Sequence, residues 1–113
     1  MISSITPILV SSDINETERF FENTLSFHTE KKHENYLIVK NGGIEIHFSE
    51  LSKVSKKKNN CACYLRVDNL DELYEKCKEL DCVHPNGKLE EYPWGREFSV
   101  LDPDWNLVKI VGK

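Results

Sequence analysis

The sequence has no excess of basic residues, no long apolar run and none of the short motifs of common nucleotide or nucleophile sites. Its formal net charge is −4 with both signs interspersed, whereas nucleic-acid partners require a basic surface. No apolar run approaches the roughly 20 residues of a membrane span, and no basic segment precedes the first apolar residues, so we expect a cytoplasmic protein. Gly-x-Ser-x-Gly, P-loop and dinucleotide-binding patterns are missing, which argues against the enzymes that use them.

Cysteine is present but not in the spacing of a metal site. The four cysteines are Cys61, Cys63, Cys77 and Cys82. Without a secretory leader their default state is the reduced thiol. Cys61 and Cys63 in one strand would share a face, but no Cys-x-x-Cys or His-x-x-x-His pattern completes a ligand set. We therefore expect no metal at these residues.

The first half of the chain predicts one strand, one helix and three further strands. The strands fall at residues 5–10, 27–32, 36–40 and 44–49, and the helix at 15–25. Pro7 near the start of the first strand predicts a peripheral position, since proline cannot complete a central ladder. Asp13 followed by Glu16 is typical of a helix capping box. Strict alternation in 44–49 places Ile46 on one face and His47 on the other.

The second half repeats this order after a lysine-rich linker at residues 51–60. A strand is predicted at 61–67, then a helix capped by Asn69, and strands at 89–92, 96–101 and 107–111. The apolar stripe of this helix consists of Leu70, Leu73, Tyr74, Cys77 and Leu80. Between the last two strands, Asp102-Pro103-Asp104-Trp105 fits a type I turn.

The chain is thus predicted to be one α+β domain, residues 1–113, built from two βαβββ modules at about 1–50 and 61–113. Each module can bury its helix against one face of its sheet. The opposite faces are too polar to pack without water. They predict a cavity lined by Glu45, His47, Tyr64, Arg66 and Lys109.

Three segments resemble the vicinal-oxygen-chelate superfamily, which contains glyoxalases, extradiol dioxygenases and fosfomycin-resistance proteins, and within it the bleomycin resistance proteins. They are Thr6-Pro7, residues 67–78 (VDNLDELYEKCK), and Pro93-Trp94-Gly95-Arg96-Glu97-Phe98 followed by Leu101-Asp102-Pro103-Asp104. The last segment is the most specific. The resemblance implies two βαβββ modules in a curved mixed sheet with helices on its outer face. It also implies a homodimer with exchanged first strands and drug-binding clefts at the subunit interface.

The resemblance also argues against catalysis. The metal enzymes of the superfamily place His, Glu or Gln at four strand positions, which align with Thr6, His47, Ala62 and Lys109 here. Only His47 is a good metal ligand, and Lys109 would put an ammonium where a carboxylate should bind. A catalytic metal needs about three protein ligands, so we expect no metal, no cofactor and no enzyme activity.

Metal-free members of the family act by sequestering a drug, and bleomycin is a planar, cationic glycopeptide whose bithiazole can stack on aromatic rings. The family's stacking positions match Trp94 and Tyr36. His47, Tyr64 and Arg66 on the polar faces and Arg96 in the motif complete the predicted ligand-binding set. Each also has a structural interpretation: an aromatic as a core or interface anchor, His47 as a hydrogen-bonded cavity residue, and Arg96 as a residue that shapes the motif loop.

Two residues depart from the family pattern. Trp105 stands where a glycine commonly follows Asp-Pro-Asp, and Ser26 replaces the usual glycine after the first helix. The leading hypothesis is metal-independent binding and sequestration of a bleomycin-type antibiotic. The alternatives are a metal-dependent lyase or dioxygenase of the glyoxalase superfamily, a binder of another aromatic small molecule, and an interaction module without a ligand.

Overall fold

The structure, a computed structural model, describes all 113 residues, which divide into two compact units, Met1–Ser55 and Lys56–Lys113. Neither helix is long and apolar enough to cross a membrane. The elements of the first unit are β1 (Ile8–Ser11), α1 (Ile14–Leu25), β2 (His28–Lys32), β3 (Tyr36–Asn41) and β4 (Ile44–Glu50). Those of the second are β5 (Ala62–Val67), α2 (Leu70–Glu79), β6 (Glu90–Tyr92), β7 (Gly95–Leu101) and β8 (Leu107–Gly112), preceded by a 3-10 turn at Lys56–Lys58.

Helix α1 begins and ends as its sequence requires. The Asp13 carboxylate accepts hydrogen bonds from the backbone N–H groups of Asn15 and Glu16, 3.0 and 3.2 Å away, and so satisfies two donors of the first turn. At the other end, Ser26 adopts the left-handed conformation with φ 57° and donates its N–H to the carbonyl of Phe21. Glycine adopts that backbone angle freely, whereas serine adopts it at a steric cost.

The first sheet has the strand order β1-β4-β3-β2, with β1 parallel to β4 and the other pairs antiparallel. The predicted edge position of β1 is confirmed, although the strand starts at Ile8 and Ile5 is exposed. Helix α1 packs on the face of β4 that carries Phe48, whose ring centroid lies 4.8 Å from that of Phe21. Both rings are fully buried. The opposite face carries Glu45, His47 and Ser49, as the alternation predicts.

The second sheet repeats this arrangement in the order β5-β8-β7-β6, with β5 parallel to β8. Helix α2 packs against it through Tyr74, whose ring centroid lies 5.0 Å from that of Phe98. Two details of the predicted helix are wrong. Asn69 occupies the cap position but its side chain makes no cap hydrogen bond, and Leu80 is exposed because the helix ends at Glu79.

The turn between β7 and β8 is closed by a hydrogen bond from the Trp105 N–H to the Asp102 carbonyl, 2.9 Å long. Trp105 has φ 64°, a backbone conformation that residues with a Cβ adopt at a steric cost. The turn is further held by the buried carboxylate of Asp102, which accepts hydrogen bonds from backbone N–H groups of Asp104 and Asn106 and from the Asn106 side chain. The predicted turn is confirmed, and so is the α+β class with two βαβββ modules.

Candidate functional site

The Trp94 hairpin, residues Glu90–Leu101, presents the most exposed aromatic ring outside the termini. Strands β6 and β7 pair from Glu90 with Glu97 to Tyr92 with Gly95, which leaves Pro93 and Trp94 as the two loop residues. Gly95 has φ 134°, a conformation that residues with a Cβ rarely adopt. This glycine therefore allows the chain to turn sharply enough to place the Trp94 side chain at the tip.

The Trp94 ring is exposed but held at two points. The residue as a whole retains 62% of its accessible surface. One face stacks on Tyr92, with ring centroids 4.9 Å apart and an angle of 5° between the planes. The indole Nε1–H donates a 2.9 Å hydrogen bond to Oε1 of Glu97, a side chain that is itself buried. Trp94 is thus a flat apolar surface whose orientation is defined before any ligand arrives.

Two open clefts flank the hairpin. One, with a volume of about 200 Å³, lies on the helix-free face and is lined by Tyr92, Glu97, Ser99 and Lys109 among others. The second, of about 370 Å³, is bordered by Trp94, Arg96, Asp68, Asp71 and Lys113. The pKa of the Tyr92 phenol lies above its ordinary range because of desolvation and the nearby carboxylates of Glu90 and Glu97. Tyr92 is therefore a neutral aromatic at physiological pH.

Arg96, predicted as a ligand-binding residue, is engaged in an ion pair. Its two terminal nitrogens donate hydrogen bonds of 2.8 and 3.1 Å to the two carboxylate oxygens of Asp71 at the start of α2. These hydrogen bonds hold the pKa of Asp71 below its ordinary range. The pair fixes one wall of the larger cleft and ties the hairpin to the helix. A ligand that uses Arg96 has to share or replace Asp71.

Tyr64 and Arg66 lie next to each other on the exposed face of β5. The guanidinium carbon of Arg66 lies 5.2 Å from the centroid of the Tyr64 ring, a cation–π geometry. Tyr64 pairs in register with Lys109, and Lys109 with Ser99 across β8 and β7. These side chains share the face opposite α2, which is the polar face that the sequence predicts for this module.

In the first unit, Tyr36 and His47 belong to a chain of polar contacts that we call the His47 network: Tyr36, His47, Glu45, Lys40 and Glu30. The Tyr36 hydroxyl lies 2.7 Å from Nδ1 of His47, and Nε2 of His47 lies 2.5 Å from Glu45. Lys40 lies 3.5 Å from Glu45 and 3.8 Å from Glu30. The hydrogen bond from His47 lowers the pKa of Glu45, so the carboxylate is ionised and its partner Nε2 carries a proton.

Of the four predicted metal-ligand positions, only His47 carries a good metal ligand. Thr6 and His47 lie in the first unit, Ala62 and Lys109 in the second. Ala62 has no donor atom and Lys109 is cationic. No group of three or more His, Cys, Asp or Glu side chains is close enough to hold a metal ion.

The predicted ligand-binding set did not include Tyr92, Glu97 or His84. Tyr92 is two residues from Trp94, but only the two-residue turn makes the rings parallel. His84 is half-buried and lines the smaller cleft. Alternation along β7 was the available signal for Glu97, because it places this acidic side chain on the same face as Ser99.

Comparisons with known proteins give a consistent result. Residues 4–113 match the family model described as a glyoxalase-like domain. The bleomycin resistance protein of Geobacillus stearothermophilus is 29% identical to this chain, covering 97% of this chain and 96% of that protein. A bleomycin resistance determinant encoded on the transposon Tn5 superposes with a TM-score of 0.86 at 24% identity, covering 99% of this chain and 98% of the other. A bleomycin-binding protein complexed with bleomycin superposes with a TM-score of 0.84 at 24% identity, covering 99% of each chain.

The two solved structures establish the fold over nearly the whole length of the chain. The predicted relationship to the vicinal-oxygen-chelate superfamily and its bleomycin resistance proteins is confirmed by the family match and the curated relative. The chain belongs to the glyoxalase-like domain family.

Proposed function

We propose that this protein binds and sequesters a bleomycin-type glycopeptide antibiotic and thereby confers resistance to it. The observation that carries the proposal is the Trp94 ring, which is 62% exposed yet fixed by Tyr92 and Glu97. Stacking of a planar group on one aromatic ring contributes about 1–3 kcal/mol by analogy with nucleic-acid bases. The relative from Geobacillus stearothermophilus is named a bleomycin resistance protein, and a structure of the same fold holds bleomycin.

In this proposal the protein acts in the cytoplasm as a binder without a metal and not as an enzyme. Ala62 and Lys109 stand at two of the four predicted ligand positions; alanine has no donor atom, and an ammonium group has no lone pair for a metal. The one histidine at these positions, His47, already has both ring nitrogens in hydrogen bonds to Tyr36 and Glu45. The donor set therefore supports recognition better than Lewis-acid catalysis.

We further propose a homodimer with exchanged first strands. Ile2 and Ile5 expose 91% and 94% of their surface, and Ile8 at the start of the edge strand exposes 59%. Apolar side chains in a row beside an unpaired strand edge favour pairing with a second chain. Light scattering should give twice the chain mass of 13.1 kDa, and Ile5→Asp should shift the protein toward the monomer. A wild-type monomer at high concentration would contradict the exchange.

Titration with bleomycin, with and without copper, tests the binding proposal directly. The drug should quench tryptophan fluorescence at micromolar concentration, and Trp94→Ala should abolish most of the binding. Trp105→Ala is the matched control, because it removes the other tryptophan of the chain. No binding to the wild-type protein would refute the drug assignment, and a screen of other planar aromatic compounds would then identify the ligand class.

A metal-dependent lyase or dioxygenase is the second candidate, and the pairing of His47 with Glu45 favours it because two donors lie side by side on one strand face. Elemental analysis after growth with Ni, Zn, Mn and Fe separates the two candidates. Stoichiometric metal that is lost in His47→Ala would support the enzyme, whereas protein that stays free of metal and binds drug would support sequestration.

A further inference from the structure

Glu97 is a buried carboxylate beside the Trp94 ring that the stacking proposal does not itself require. Its side chain is 6% exposed, and its Oε1 accepts the 2.9 Å hydrogen bond from the Trp94 indole. Burying a charged group is costly unless it has partners. The Trp94 indole N–H donates a hydrogen bond to the Glu97 carboxylate. No oppositely charged side chain lies within 4.0 Å of this carboxylate.

We infer that Glu97 is a positioning residue that fixes the Trp94 indole, together with Tyr92, so that one ring face is presented to a planar ligand. The role in ligand binding rests on the proposed function, whereas the fixed ring is a property of the free protein. Two constraints act on the indole from different directions. Tyr92 covers one face at 4.9 Å, and Glu97 holds the ring edge at Nε1. Rotation about either side-chain torsion of Trp94 would break at least one of them.

The hydrogen bond matters because Trp94 sits at a hairpin tip. An exposed tryptophan without partners samples several rotamers, and a ligand that stacks on it must then immobilise it at a cost in entropy. Glu97 is anchored in the paired part of β7, opposite Val111 on β8 and Glu90 on β6. Its carboxylate therefore transmits the rigidity of the sheet to the loop. Desolvation raises the pKa of Tyr92, and the carboxylates of Glu90 and Glu97 add to the rise, which is consistent with one compact cluster of Tyr92, Trp94 and Glu97.

The test uses a Trp105→Phe background, in which Trp94 is the remaining tryptophan. Glu97→Gln keeps an oxygen that can accept the indole N–H, whereas Glu97→Met keeps the size of the side chain and lacks the acceptor. The Trp105→Phe parent should show high fluorescence anisotropy and slow exchange of the Trp94 indole N–H. We expect both signals to persist in Glu97→Gln and to be lost in Glu97→Met. Glu91→Ala, which changes an exposed carboxylate of the same hairpin, should leave both signals unchanged.

Bleomycin affinity then separates this inference from the proposed function. Glu97→Met should weaken binding about two- to tenfold, the loss expected from immobilising one large side chain, and Glu97→Gln should stay near the parent value. Fast indole exchange in the parent protein itself, which needs no variant to fold, would overturn the positioning role. Equal affinity and equal anisotropy in all three proteins would also overturn it. If the indole is fixed by Glu97 but the drug does not bind, the positioning role stands and the drug assignment fails.

Discussion

Replacement of Asp102 should test how the β7–β8 turn is held. Asp102 is 2% exposed, and its carboxylate accepts three hydrogen bonds: 3.0 Å from the Asp104 N–H, 2.9 Å from the Asn106 N–H and 2.6 Å from the Asn106 side chain. Asp102→Ala leaves these three donors without an acceptor in a site that excludes water. An unsatisfied buried polar group costs about 1–3 kcal/mol, so we expect the free energy of unfolding to fall by about 3–5 kcal/mol.

Such a loss is a large fraction of the roughly 5–15 kcal/mol that stabilises a small domain. For a chain of this length it corresponds to a decrease in Tm of about 10–20 °C, which thermal denaturation followed by circular dichroism measures easily. Asp102→Asn keeps one oxygen for the two backbone N–H groups and should cost about 1 kcal/mol at pH 7. Equal losses in the two variants would refute the hydrogen-bond account.

Comparison of the wild-type protein with Asp102→Asn gives a prediction for the pH dependence of stability. Burial raises the pKa of Asp102 to about 6 from the ordinary 3.8, although the hydrogen bonds from Asn106 and Asp104 oppose this rise. The folded state therefore holds the Asp102 proton more tightly than the unfolded state does. The contribution of this proton to the free energy of unfolding is complete below about pH 4 and is lost as the pH rises through 6. The difference in pKa corresponds to about 3 kcal/mol. Wild type should therefore gain up to that amount relative to Asp102→Asn between pH 7 and pH 4, and a constant difference across this range would contradict the raised pKa.

Substitutions at Asp13, Asn69, Trp105 and Gly95 test local features. Asp13→Ala removes the α1 cap and should lower the free energy of unfolding, measured by denaturant titration, by about 1 kcal/mol. Asn69→Ala should change this free energy little, because the Asn69 side chain makes no cap hydrogen bond. A larger loss in Asn69→Ala than in Asp13→Ala would contradict the assignment of the caps. Trp105→Asn should be about 1 kcal/mol more stable than Trp105→Ala by the same method, since both lose the ring but asparagine tolerates φ 64° better; equal stability would show that this angle carries no strain. Gly95→Ala should cost about 1–3 kcal/mol and reduce the fluorescence anisotropy of Trp94, and an unchanged protein would contradict the need for φ 134°.

The sequence predicted local structure correctly where the spacing of apolar and polar side chains matches the period of the strand or helix. The alternation in β4 predicted which face carries His47, and Asp13 with its first turn predicted where α1 begins. The prediction failed at Asn69 and Leu80, because whether a side chain reaches a cap and where a helix stops depend on the neighbouring strand and loop. Strand β1 also started later than predicted, because an apolar run does not reveal which of its residues find a hydrogen-bonding partner.

The sequence alone determined three features: the order of strands and helices, the polar faces of both modules, and the family motif around Trp94. Each of these features is encoded by the local spacing of residues. What only the tertiary structure decided is how Trp94 is held. Its contacts with Tyr92 and Glu97 arise from a two-residue turn and a strand register. The pairing of Arg96 with Asp71 joins residues 25 positions apart. Periodicity reports the face on which a side chain lies, whereas the partner it meets across the sheet depends on how strands and helices pack.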